Sequence, residues 1–486
     1  MSLQPYFFPL VDSANLTDDI LAVLNEDYSG DCTIRTAHLM VVGLPNAGKS
    51  SLVANLLNTE KPSGSTGLCE ESHVLVATSH HAGIITNDEW KPVDLQVSLG
   101  RKVAEITKYS KSYTKDNKQK ENHEDINAPI DRLNQQDSKL EIAEMKSEIL
   151  VEGIEMQIEN SSSEDLMAKV HIDKQNPQYS NVNNAEMISA MLASNGITNL
   201  KDVNESKSIY LRDCGGQLEF QNTLSVLISG PSIVLFVLDA SMEDLNEPFR
   251  HSYRVDRKRK INSRQSISVY DSLRQTLASI DVLKSRASSE DSNEFDCKVI
   301  IVGTHLDKIS SPKEKIEKLD KEIVDIIKDQ CMSHLVIFRE ESDKRVIYAV
   351  NNENAKDKNF EELKSAITDR MENCKTFEIQ YKIKPLLLSL HLKNQKSIMK
   401  RHDFEAFAKD FNLNGKEQVD DVLKFLHHTI GILRYYEVDE HHQFIVTDPS
   451  VLFQCLTKII VDTFPDSSSR TSDQTKSLQM GIISKK

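Results

Sequence analysis

The stretch VVGLPNAGKSSLVANLL sets two glycines, Gly43 and Gly48, around a short loop that ends in Lys49 and Ser50. Glycines at the two ends of a GxxxxGK[ST] spacing let the backbone curl until successive N–H groups face inward, an arrangement that suits phosphate oxygens. An ammonium at position 49 reaches the β- and γ-phosphates of a nucleoside triphosphate, and a hydroxyl at position 50 holds Mg²⁺. Gly43, Asn46, Ala47, Gly48, Lys49, Ser50 and Ser51 are therefore the candidate phosphate contacts. This loop alone does not choose a base.

Two further groups lie downstream. Asp213, Cys214, Gly215, Gly216 and Gln217 close an apolar run. A DxxG string there supplies a carboxylate behind magnesium, a Gly216 amide that senses the γ-phosphate, and Gln217 to orient an attacking water. Thr66, in PSGSTGLCEESHVLVA, is the candidate threonine for Mg²⁺ and γ-phosphate, with Ser63 and Ser65 in competition. Gln217, Lys49 and Thr66 are thus the catalytic candidates, and Ser50, Thr66 and Asp213 the metal set. After CKVIIVG come Thr304, His305, Leu306, Asp307 and Lys308. A carboxylate at Asp307 accepts paired hydrogen bonds from guanine N1 and N2, which adenine does not offer. Asn351, after RVIYAV, is the candidate third base element.

These groups need a scaffold that brings strand ends together. The apolar runs HLMVV, KSIYLRD, SIVLFVLDA, CKVIIVG and RVIYAV alternate with helical patterns such as SVYDSLRQTLASIDVLKS and KEKIEKLDKEIVDIIKDQC. That alternation predicts a doubly wound α/β sheet with ligand at the strands' carboxyl ends. Polar blocks interrupt it at about 91–205 and 241–265. The first is rich in Lys, Asn, Gln, Ser and Glu, is read as a largely unpacked excursion with one helical candidate at 142–158, and is expected to be dispensable for the fold. The second carries Arg254, Arg257, Lys258, Arg259, Lys260 and Arg264, read as a solvated basic loop.

Composition narrows the partners. The formal net charge of −15 gives no counterion release at a phosphate backbone, which argues against nucleic acid. Seven cysteines, none in a CxxC pair, fit a reducing compartment rather than a disulfide framework or zinc site. No apolar run is long enough to span a bilayer, and Ser2 excludes myristoylation. A cytoplasmic location is expected.

The string THLD stands where the usual base motif is NKxD. GTHLD, and GPSIVLFVLDAS following GGQLEFQ, resemble the Roc domain of ROCO proteins over about 37–375 apart from the insertions. The resemblance implies a Ras-like G domain that takes GTP/GDP with Mg²⁺, hydrolyses GTP slowly and acts as a signalling switch. Under it, Asp213 to Gln217 are the second switch and His305 with Asp307 the base-reading pair. The alternative is a non-hydrolysing, nucleotide-bound scaffold; Pro45 and the unusual third base element leave room for it.

The expected organisation is a lead segment 1–36 with one helix, the G domain 37–375, a module 376–464 and a polar tail 465–486. The module reads helix, helix, helix, hairpin, helix and looks like the winged-helix first half of the COR region. Glu417, Asp420 and Asp421 on the helix KEQVDDVLKFLHHTIG, the expected recognition helix of such a module, would repel a phosphate backbone, so DNA is not the expected partner. His427, His428, His441 and His442 lack the cysteines or spaced carboxylates of a metal site and read as surface histidines. Protein regulators at the switch regions and at this module are the expected partners, with a monomer or weak homodimer as the assembly.

Overall fold

Alternate residues of the central strands belong to two different cores, and this period of two decides the architecture. Leu39, Val41, Ile233, Leu235, Val237, Ile300 and Val302 face one way, and Met40, Val42, Val234, Phe236, Leu238, Val299 and Ile301 the other. In the computed structural model the described residues are 14–25, 32–60, 69–81, 84–124, 177–194, 197, 206–216, 228, 231–248, 252–254, 260–262, 267–287, 296–339, 345–354, 356–392, 395–427, 434–437, 443–448 and 450–452.

Strands β1 (Cys32–Val42), β2 (Cys69–His81), β3 (Ile84–Val93), β4 (Ser206–Cys214), β5 (Ser232–Asp239), β8 (Cys297–Thr304) and β9 (Ile347–Ala349) form one sheet in the order β3-β2-β4-β1-β5-β8-β9. The stretch from β4 to β9 is parallel, while β2 runs antiparallel to both β3 and β4. β5 and β8 are buried along almost their whole length, as strands covered on both faces must be. Helices α2 (Lys49–Leu57) and α7 (Lys358–Asn373) cover one face; α5 (Val269–Ala287) and α6 (Pro312–Asp329) cover the other. The sheet is thus doubly wound, as the alternation predicts.

The block 91–205 departs from its reading as an unpacked excursion. β3 crosses its start, and then come α3 (Leu95–Glu124) and, after residues 125–176, α4 (Pro177–Ala193). Leu99, Val103, Ala104 and Ile106 of α3 and Ala185, Ile188 and Leu192 of α4 are buried. They share a third core with Leu16, Ile20 and Val23 of α1 (Ala14–Asn25). The apolar stripe recurs every three to four residues but is diluted by Lys, Asn and Gln, so the average composition hid it. The helix expected at 142–158 lies outside the described residues. Within 241–265, the short antiparallel pair β6 (Ser252–Arg254) and β7 (Lys260–Asn262) replaces part of the expected loop.

The same third core takes in the C-terminal elements. β10 (Glu378–Tyr381) pairs antiparallel with the first residues of β1, so the central sheet continues into α8 (Ile383–Leu392). β11 (Ile398–Lys400), α9 (Arg401–Lys409), α10 (Lys416–Phe425), β12 (Arg434–Glu437) and β13 (Gln443–Val446) follow. Their strands form a small antiparallel sheet in the order β11-β13-β12. Arg35 of β1 clamps the junction: its Nη1 donates to Met371 O at the end of α7 (2.7 Å), and its guanidinium pairs with Glu378 of β10.

Candidate functional site

The loop between β1 and α2 needs backbone conformations that side chains resist. Gly43 has φ 139°, and a Cβ there would lie 2.0 Å from Val237 O on the neighbouring strand, so only glycine fits. Asn46 (φ 62°) and Gly48 (φ 79°) are also left-handed. Gly48 caps α2 without a side-chain bond, and Lys49, Ser50 and Ser51 begin the helix. The first-turn N–H groups of a helix have no acceptor within the helix itself, so this end of α2 suits an anion. Asn46 is exposed at the loop tip, Ala47 is buried, and Ser50 and Ser51 are half-buried.

Lys49 is buried, and its Nζ donates to Gly43 O (3.1 Å) and Leu44 O (2.9 Å), inside the curl. Burial pulls its pKa down to about 8, against the opposing charge of Asp213. Asp213, buried near the end of β4, pairs in register with Val41 of β1. Gly216 follows, seated on the loop: a Cβ at 216 would come within 2.4 Å of Lys49 Nζ and 2.6 Å of Pro45 N. The first two motifs, about 170 residues apart in sequence, therefore touch. Buried Arg212 adds a brace beside them, its Nε donating to Glu71 Oε1 of β2 at 2.6 Å. Thr66 and Gln217, with Ser63 and Ser65, lie outside the described residues.

The third motif meets the loop from the other side. Thr304 is fully buried at the end of β8; its hydroxyl donates to Ala47 O (2.7 Å) and lies 3.1 Å from Leu238 O. His305 takes a left-handed turn (φ 58°), and residues Leu306–Lys308 form a single 3₁₀ turn that leaves Asp307 exposed. The ring of His305 lies beside the phosphate loop, its Cε1 3.5 Å from where a Gly48 Cβ would stand. Asn351 turns away. Its Oδ1 accepts from Glu353 N (2.9 Å), and its own N–H donates to Asp357 Oδ2 (3.0 Å) at the cap of α7.

Sequence reasoning missed the residues that join these motifs. Asn352, the neighbour of Asn351, is buried, and its Nδ2 donates to Gly48 O (3.0 Å). Asn55 of α2 donates to the Asn352 carbonyl (2.9 Å). Asp239, at the end of β5, approaches His305 Nδ1 at 3.2 Å. A polar residue closing an apolar parallel strand at the sheet's ligand-facing edge is a signal that could have found Asp239; nothing in NNEN separated Asn352 from Asn351.

Fold and loop together define a P-loop α/β architecture, with three motifs gathered at the carboxyl ends of β1, β4 and β8 and Asp239 at that of β5. No family model matches the chain, and no curated protein matches it. Among solved structures it aligns with a Methanosarcina barkeri Roco2 RocCORdC chain bound to GDP, over 94% of this chain and 86% of that one. That alignment has 10% sequence identity and a TM-score of 0.44, so the functional argument rests on this chain's own residues. Among the described residues, no helix is long and apolar enough to cross a membrane.

Proposed function

We propose that this chain binds GTP and GDP, hydrolyses GTP slowly and uses the nucleotide state as a conformational signalling switch. The observation that carries the reading is the contact of Gly216 with Lys49 and Pro45. A residue placed to sense a terminal phosphate is packed on the lysine placed to bind it.

The residues fit a nucleoside phosphate. Gly43 and Gly48 hold conformations that favour inward-facing amides, and a buried ammonium waits among carbonyls. Lys49 neutralises charge that develops on the phosphates, and the α2 amides hold the oxygens in place. Ser50, Thr66 and Asp213 are the residues that would hold Mg²⁺, which would supply further charge neutralisation at the phosphates. Gln217 orients the water. Asp307 selects guanine, because a site built around that acceptor is left unpaired by adenine.

Single-turnover hydrolysis with Gln217→Leu beside the parent chain tests the catalytic half. Retained GTP affinity with a loss of hydrolysis supports the reading. Tight binding with no hydrolysis by either protein favours the nucleotide-bound scaffold. Protein regulators at the switches and at the C-terminal module remain the proposed partners.

A further inference from the structure

We propose that Asp239 is a positioning residue for guanine selection, acting through His305 to aim the carboxylate of Asp307. This rests on the base-reading assignment given above. Asp239 closes β5, beside the β8 end that carries Thr304 and His305.

Three donors converge on a single oxygen. Asp239 Oδ1 accepts from Ser241 N (2.9 Å) and Ser241 Oγ (2.6 Å), and lies 3.2 Å from His305 Nδ1. The same ring nitrogen is 3.1 Å from Thr304 Oγ1, whose proton is committed to a backbone carbonyl, with Ala47 O at 2.7 Å. Both neighbours of Nδ1 are therefore acceptors, and the network assigns the ring proton to that nitrogen. Burial raises the Asp239 pKa, but the bonds from His305 and Ser241 outweigh it and hold the carboxyl down to about 2. The group is a fixed anion.

What this anion holds is a strained turn. His305 is not glycine, yet it sits at φ 58°, a conformation that side chains resist and that persists where its surroundings impose it. The turn reverses the chain. Lys308 N then donates to His305 O (3.0 Å) and Ile309 N to Leu306 O (3.2 Å), which sets the one-turn helix carrying Asp307. Asp307 itself is exposed, so its direction is set by this backbone. Without Asp239 the ring of His305 loses its anchor, the turn relaxes, and the carboxylate two residues on loses its aim.

The test compares GDP with inosine diphosphate, which lacks the 2-amino group and so lacks one of the two donors that Asp307 reads. The variants are Asp239→Ala, Asp307→Ala and the double variant, with Asp239→Asn as the isosteric partner should the alanine variant fold poorly. Melting temperatures accompany each titration. Asp239→Ala is expected to reduce the GDP-over-inosine preference by roughly tenfold, and Asp239→Asn to reduce it less. Asp239→Ala should cost little further preference once Asp307 is already alanine. A merely structural role would weaken both nucleotides equally and leave the preference intact, and that result overturns the proposal. Additive losses in the double variant also overturn it. Failure of the unsubstituted chain to prefer GDP over ADP strikes instead at the base-reading assignment on which the proposal stands.

Discussion

Lys49 and Lys102 are both buried ammonium groups, and their surroundings give them different work. Lys49 lies in the phosphate loop with its pKa drawn down to about 8 by burial, against the charge of Asp213. Bound phosphates would favour its charged form, so binding should take up a proton wherever the free loop has lost one. Nucleotide affinity is then level below pH 7 and falls as pH rises through 8. Calorimetry at pH 8.5 in buffers of different ionisation heat should show proton uptake; none would remove Lys49 from the phosphates. Lys49→Ala should weaken GTP by about a hundredfold, since it deletes a buried charge partner. Lys102 lies far from that chemistry. Its Nζ donates to Tyr381 Oη (2.6 Å) and sits 4.2 Å above the Tyr381 ring, between α3 and β10. Burial pulls it from 10.5 to about 7, with Glu105 opposing. Below pH 7 the folded chain carries the full cost of a buried charge. Between 7 and 10.5 the unfolded chain binds a proton that the folded one does not, so stability rises with pH. The stability of Lys102→Met relative to the parent should therefore be most favourable at pH 6 and shrink by pH 9 in urea titrations. The loop lysine was legible because its spacing is a motif. Lys102 was not, since a lysine in a polar block gives no sign that Thr36, Tyr210 and Tyr381 will enclose it.

At the scale of elements, strands covered on both faces were readable as continuous apolar runs, as in SIVLFVLD and CKVIIVGT. α5 and α6 were readable from apolar residues at helical spacing. The sequence did not show where the strand HLMVV begins. β1 starts at Cys32, within the segment read as a lead, because residues 32–35 pair with β10 some 345 residues later in the chain. Nor did it show that β2 and β4, neighbours in the sheet, enclose an inserted strand and two helices. This changes an expected outcome. Removing residues 95–200 strips Leu99, Val103, Ile106, Ala185 and Ile188 from a core they share with α1 and α8. Each such leucine, valine or isoleucine contributes about 1.5–3 kcal/mol of burial, and the partners left behind would face water. The deletion should give aggregated protein on gel filtration; a monodisperse, cooperatively melting product would show that α3 and α4 are not part of the core. In the C-terminal elements, Phe404 of α9 is fully buried in that same core. Phe404→Ala should cost about 3–5 kcal/mol by urea denaturation.

Across the whole molecule, two cores cover the central sheet and the third joins the N-terminal helix, the insertion helices and α8–α10. Tyr210 of β4, three residues before Asp213, belongs to that third core, and so does Tyr381 of β10. The strand that carries the proposed switch aspartate is therefore continuous with the packing of the C-terminal elements. The expected boundary at residue 376 lies two residues before β10, which pairs with the start of β1. The same continuity gives the proposed switch a physical route, since Lys102 of α3 lies over the Tyr210 ring of β4 and bonds Tyr381 of β10. All of this matters for function only if the loop, the DCGG turn and the THLD turn gather around a guanine nucleotide. The direct measurement is competition of unlabelled GTP and ATP against a fluorescent GDP analogue on the intact chain with Mg²⁺ present. Asp307 read as the guanine acceptor predicts displacement by GTP at concentrations at least about a hundredfold below those needed for ATP; equal displacement by the two would contradict the account.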